Sequence, residues 1–178
     1  VSPSSFGVPT SGFYILYIAS GPRREGDVKS IAEKLRLPAA IVLIDPVIGG
    51  EAHDITMRPV AAALVKCASD PMCAGALFSI RCRTWSVAHF LPNAKGLPGK
   101  PPRDIDNVLG RVRGDGTPPP STVEGNMESE YATEIALAVH AHGGFVLTET
   151  PTRRRDGTTH RPEPVSYTHL RAHETQLH

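Results

Sequence analysis

The residues of this chain that could do chemistry stand at a few defined places, most of them just after short apolar runs. Ala19-Ser20-Gly21-Pro22 follows Phe13–Ile18, and Asp45 follows Ala40–Ile44. Cys82, with Thr84 and Ser86, follows Ala74–Ile80, and Glu149 follows Phe145–Thr148. A turn of small residues lets the backbone approach a bound cofactor closely. An acid ending the next strand can accept two ribose hydroxyls, and Asp45 lies about 25 residues beyond the turn, near the usual interval of about 20. Capping of a helix or turn accounts for such an acid equally well, so four consecutive strand ends carry more weight than any single residue. His169 and His173 are four apart, the spacing that sets two imidazoles on one helix face as zinc ligands. Cys67, Cys73 and Cys82 are spaced by six and nine, which is neither a disulfide framework nor a zinc CxxC pattern. The plain reading of the cysteines is small buried hydrophobes in a reducing compartment, and no metal site is expected.

The elements that must position these residues follow from the apolar pattern. Runs that are short and do not alternate are what strands buried on both faces require. Asp27 can cap a helix carrying Val28, Ile31, Ala32 and Leu35 on one side and ending before Pro38. Asp54-Ile55-Thr56 leads into a helix with Val60, Ala61, Leu64 and Val65 at helical spacing. Ser121 to Glu124 has capping-box spacing, and the helix beyond it sets Met127, Tyr131, Ile135 and Ala138 along one stripe before Gly143-Gly144 ends it. Strands alternating with helices predict an α/β fold, an open and mostly parallel sheet with flanking helices. Ligands in such sheets bind outside the carboxyl ends of the strands, near the point where strand order reverses.

Composition bounds the function classes. The chain has 178 residues, 40% of them hydrophobic, and a formal charge of +1. That suits one domain with a real core and provides no global field for nucleic acid or membrane. The 17 prolines exclude collagen-like and long coiled-coil readings, and no run of 18 apolar residues suggests a membrane span. Residues 1–12 read as a flexible leader without the apolar core of a signal peptide, which fits a cytosolic fragment or a processed chain. Seven prolines and five glycines fall in the irregular stretch 91–122. Lys95, Lys100, Arg103, Arg111 and Arg113 there face Asp104, Asp106 and Asp115, which fits either a solvated loop or a phosphate-facing flap. Trp85 reads as core beneath the site or as a stacking platform, and His89 as a surface or core histidine. Residues 156–164 read as a linker. Val165–Thr175 (VSYTHLRAHET) resembles the translation of a common transposase-type sequencing adapter. Residues 165–178, including His169 and His173, are therefore expected to be adapter-derived.

The ordered set YIASGP (17–22), IDP (44–46), SIRCRTWS (79–86) and LTETP (147–151) resembles the S-adenosylmethionine-dependent DNA (cytosine-5) methyltransferase family and its divergent relatives. In that family the first strand ends in an FSGxG-like turn, a Pro-Cys segment follows the third landmark strand, and an ENV or ENP tripeptide closes the fourth. The resemblance covers residues 13–155 as scattered motifs and implies a Rossmann-like methyltransferase fold that binds S-adenosylmethionine and acts on DNA inside the cell, in cytoplasm or nucleus. It implies that Ser20 and Gly21 form the cofactor turn, Asp45 holds the ribose hydroxyls and Asp54 approaches the adenine amino group. Cys82 would be the nucleophile on cytosine C6, favoured as thiolate by Arg81 and Arg83, and Glu149 would contact the ring N3 and the exocyclic amine. Ile80-Arg81 stands where the family has proline before the cysteine, and Thr150 where it has asparagine. These departures motivate a second expectation, a non-catalytic methyltransferase-fold domain of a mobile-element or phage-like protein. A third class, another α/β nucleotide-binding or hydrolase domain, is disfavoured because neither GxxxxGK[ST] nor GxSxG occurs.

Overall fold

A computed structural model describes residues 1–80, 107 and 109–149. The chain divides into two compact units, Val1–Ile80 with Met127–Glu149, and Arg81–Asn126 with Thr150–His178. The first holds a four-stranded sheet of order β2-β1-β3-β4, built from β1 (Phe13–Ile18), β2 (Ala39–Ile44), β3 (Cys73–Phe78) and β4 (Phe145–Thr148). Every neighbouring pair is parallel. The helices are α1 (Val28–Lys34), the single turn α2 (Pro46–Gly49), α3 (Arg58–Ala68) and α4 (Pro120–His140). This is the open parallel α/β sheet, Rossmann-like in topology, that the alternation of runs predicts.

Side-chain alternation along β1 assigns the two sheet faces. Tyr14, Leu16 and Ile18 join Val42, Ile44 and Phe78 in one buried cluster with Val60, Leu64 and Cys67 of α3 and Tyr131, Ile135 and Val139 of α4. The Tyr14 hydroxyl donates to the carbonyl of Cys67 at 2.7 Å, tying β1 to the end of α3. Ile15 and Ile41 point the other way, against Ala32 of α1. α1, between β1 and β2, therefore packs on one face, and α3 and the later turns of α4 pack on the opposite face. With right-handed crossovers, that change of face is where strand order reverses, between β1 and β3.

Several boundaries and burials differ from the sequence reading. β2 begins one residue earlier, at Ala39, and β3 covers Cys73–Phe78, leaving Ser79 and Ile80 beyond its end. Asp27 caps α1 as expected, its carboxylate accepting from the N–H of Ser30 at 2.7 Å. Of the expected apolar side of that helix, however, only Ala32 is buried, while Ile31 and Leu35 are exposed. α4 starts at Pro120, and the N–H groups of Thr122 and Val123 bond the Pro119 carbonyl. Proline suits the first helical position, so Ser121 falls inside the first turn instead of capping it. The sequence predicts a buried β4; among the described strands it is the edge of the sheet, with Phe145 48% and Leu147 62% exposed.

In the second unit, Asp115 closes a turn by accepting from the N–H and the hydroxyl of Thr117, at 2.9 and 2.7 Å. The amide of Asn126 donates to the Leu109 carbonyl. The remainder of the 91–122 excursion, Trp85, His89, the linker and the adapter-like tail lie outside the described residues. Among the described residues, no helix is long and apolar enough to cross a membrane.

Candidate functional site at the carboxyl ends of the strands

Parallel pairing brings the strand ends level, the β1–β3 register shifting once, between Tyr14 and Ile15, well before those ends. Ile18 stands opposite both Ile44 and Phe78, and Phe78 stands opposite Thr148. One residue further, the ladder continues through Ala19 N–H to Ile44 O (2.8 Å), Ser79 N–H to Ile18 O (3.0 Å) and Glu149 N–H to Phe78 O (2.7 Å). Ala19, Asp45, Ser79 and Glu149 thus share the carboxyl edge, with the reversal point between Ala19 and Ser79.

The turn after β1 is drawn tightly together. Ala19 has φ 57° and Gly21 φ 72°, two left-handed residues within three positions. Glycine adopts that conformation freely, whereas alanine there costs about 1–2 kcal/mol. The Gly21 N–H donates to Asp45 Oδ2 at 2.9 Å, and the Val47 N–H donates to Asp45 Oδ1 at 2.8 Å. Asp45 is 8% exposed. Of the two sequence readings of Asp45, the structure shows the cap: it caps the α2 turn and, beyond either reading, clamps the β1 turn. Each oxygen keeps one further acceptor site, because a carboxylate offers about four. The Ser20 hydroxyl bonds locally, to the Gly21 carbonyl at 3.3 Å.

Asp54 is half-buried in the segment entering α3. Its Oδ1 accepts from the N–H and the hydroxyl of Thr56, at 2.9 and 2.7 Å, which leaves Oδ2 to meet another donor. Glu149 is exposed, and its Oε2 accepts from the Ser79 hydroxyl at 2.7 Å. The Ser79 oxygen lies 3.0 Å from the hydroxyl of Tyr17 on β1. Cys82 lies outside the described residues, with Arg81, Arg83, Thr84 and Ser86. The structure therefore joins Gly21 to Asp45 and places Glu149 beside the end of β3, while the bonds of Ser20 and Asp54 stay local.

Tyr17 and Ser79 are the site residues that sequence reasoning passed over. Both lie inside the quoted segments, but nothing in spacing along the chain signals a pair of hydroxyls meeting across β1 and β3. Cys67 and Cys73 are buried, and burial pushes their thiols up to about 11. Among the described residues, no group of three or more His, Cys, Asp or Glu is placed to hold a metal ion. Comparison with protein-family models, curated proteins and solved structures finds no match to this chain.

Proposed function

We propose that this chain carries the methyl-transfer region of an S-adenosylmethionine-dependent enzyme of the DNA (cytosine-5) methyltransferase type. The observation that carries the reading is Glu149. It follows β4 directly and bonds through its N–H to Phe78 of β3, the strand that Cys82 follows by four residues in the sequence. Gly21 and Asp45, clamped together at the reversal point, are the cofactor side of the same edge.

Bound S-adenosylmethionine supplies an electrophilic methyl group. The residues of the chain make cytosine C5 able to take it, since that carbon is a poor nucleophile in the intact ring. The Cys82 thiolate adds to C6, and Glu149 gives a proton to N3, so that the ring becomes a neutral enamine. After C5 accepts the methyl group, a base removes the C5 proton, the C6–S bond breaks and the thiolate returns. Asp45 holds the ribose hydroxyls through its unused lone pairs, and Asp54 takes the adenine amino group through Oδ2. The base must leave the duplex for this chemistry, and the basic residues of 91–122 suit a flap that holds it there. DNA is then the partner, and the location is the cytoplasm or nucleus.

The double backbone clamp on Asp45 favours one second reading. A carboxylate already satisfied by two N–H groups can simply hold the turn, as in a non-catalytic methyltransferase-fold domain of a mobile-element or phage-like protein. Two measurements on the 178-residue chain separate the readings. Calorimetry should show saturable S-adenosylmethionine binding. A duplex bearing 5-fluorocytosine should form a covalent adduct, lost in Cys82→Ser. Binding without an adduct favours the non-catalytic domain, and absence of both overturns the proposal.

A further inference from the structure

We infer that Tyr17 and Ser79 are positioning residues that orient the Glu149 carboxyl group toward the target base, an inference that rests on the methyl-transfer reading above. Serine has one hydroxyl proton, and at 2.7 Å it goes to Glu149 Oε2. The 3.0 Å contact between Tyr17 and Ser79 must then run from the tyrosine hydroxyl to the serine oxygen. The result is a directed relay from Tyr17 through Ser79 to Glu149, with members on or just beyond three adjacent strands.

Backbone bonds hold two members of the relay, Ser79 and Glu149. The Ser79 N–H is bonded to Ile18 of β1 and the Glu149 N–H to Phe78 of β3, so the two side chains leave the sheet edge at a set separation. Tyr17 is half-buried against the cluster of Ile15, Ala32 and Ile41, which limits where its hydroxyl can go. Glu149 itself is exposed and has three side-chain torsions. Without the relay its carboxyl would sample many orientations, which a group that transfers a proton at a fixed ring atom cannot do efficiently.

The direction of the bonds also selects an oxygen. In the protonated acid the carbonyl oxygen is the better acceptor; Oε2 takes that part by accepting from Ser79, so the proton delivered to N3 leaves from Oε1. As Oε1 loses it, the carboxylate gains negative charge and the Ser79 bond strengthens. The proton returns to Oε1 when the C6–S bond breaks. The relay thus fixes which edge of the carboxyl faces the amidine edge of cytosine.

The test compares covalent trapping rates on a 5-fluorocytosine duplex at saturating S-adenosylmethionine, with cofactor affinity measured in parallel. Ser79→Ala should slow adduct formation by about tenfold to a hundredfold, the value of a hydrogen bond to a charged group. Its affinity for S-adenosylmethionine should stay unchanged. Tyr17→Phe should slow the step less, and Ser79→Thr, which keeps the hydroxyl, should restore most of the rate. Equal rates in the wild type and Ser79→Ala overturn the relay and leave the methyl-transfer reading standing. Loss of cofactor binding in Ser79→Ala, or failure of Ser79→Thr to rescue, makes the role structural and also overturns it. No adduct in the wild type overturns both.

Discussion

Asp45 is a cap that also clamps the neighbouring turn. Its carboxylate satisfies one N–H in the turn after β1 and one in the turn after β2, from a position almost closed to solvent. Replacing it with alanine removes the acceptor of both half-buried hydrogen bonds, at a cost of about 0.5–1.5 kcal/mol for each. Asp45→Ala should therefore lower the urea midpoint of unfolding, and Asp45→Asn, whose single carbonyl oxygen can serve one of the two donors, should fall between. An unchanged midpoint in Asp45→Ala would mean that the clamp does not form in solution. That an acid closes the second strand is legible in the IDP segment. That its oxygens are spent on Gly21 and Val47 is not, because the Gly21 bond spans 24 positions and depends on β1 and β2 lying side by side. Ser79 and Tyr17 escaped notice for the same reason.

At the scale of elements, the continuous apolar runs marked the strands well. Phe13–Ile18 and Phe145–Thr148 are strands over the full lengths read from sequence. Burial was less legible. FVLT has the composition of a buried strand, yet among the described strands β4 is the sheet edge, and the described residues leave its side chains exposed. α1 is capped where Asp27 predicts, but its seven residues bury only Ala32. Two leucines make the contrast measurable. Leu64 of α3 is fully enclosed between the helices and the sheet, so Leu64→Ala should destabilise by about 2–5 kcal/mol. Leu147 of β4 is largely exposed, and Leu147→Ala should change stability by no more than about 0.5 kcal/mol. Denaturant unfolding of the two variants checks this, and comparable losses would show that β4 is covered by residues outside those described.

For the whole molecule, the core also sets an alkaline limit. Cys67 and Cys73 sit in the main cluster, and burial raises both thiols from 9.0 to about 11. Burial raises the Tyr14 phenol as well. An unfolded thiol gives up its proton near pH 9, whereas the folded one holds it to about pH 11. The unfolded state therefore loses protons first, and stability is complete below pH 9 and declines between about 9 and 11. The urea midpoint should fall across that window, with a shallower slope in Cys73→Ala. A flat profile would show that these thiols are not buried. The sequence by itself determined the alternation of strands and helices, the strand-end positions of Gly21, Asp45 and Glu149, and the cap at Asp27, because these depend on local periodicity and on neighbours a few residues away. Strand order, the reversal between β1 and β3, the clamp on Gly21 and the Tyr17–Ser79–Glu149 relay were decided only by the tertiary structure. Each of them depends on which strands pair and in what register, and that is settled by packing α3 and α4 on one face and α1 on the other.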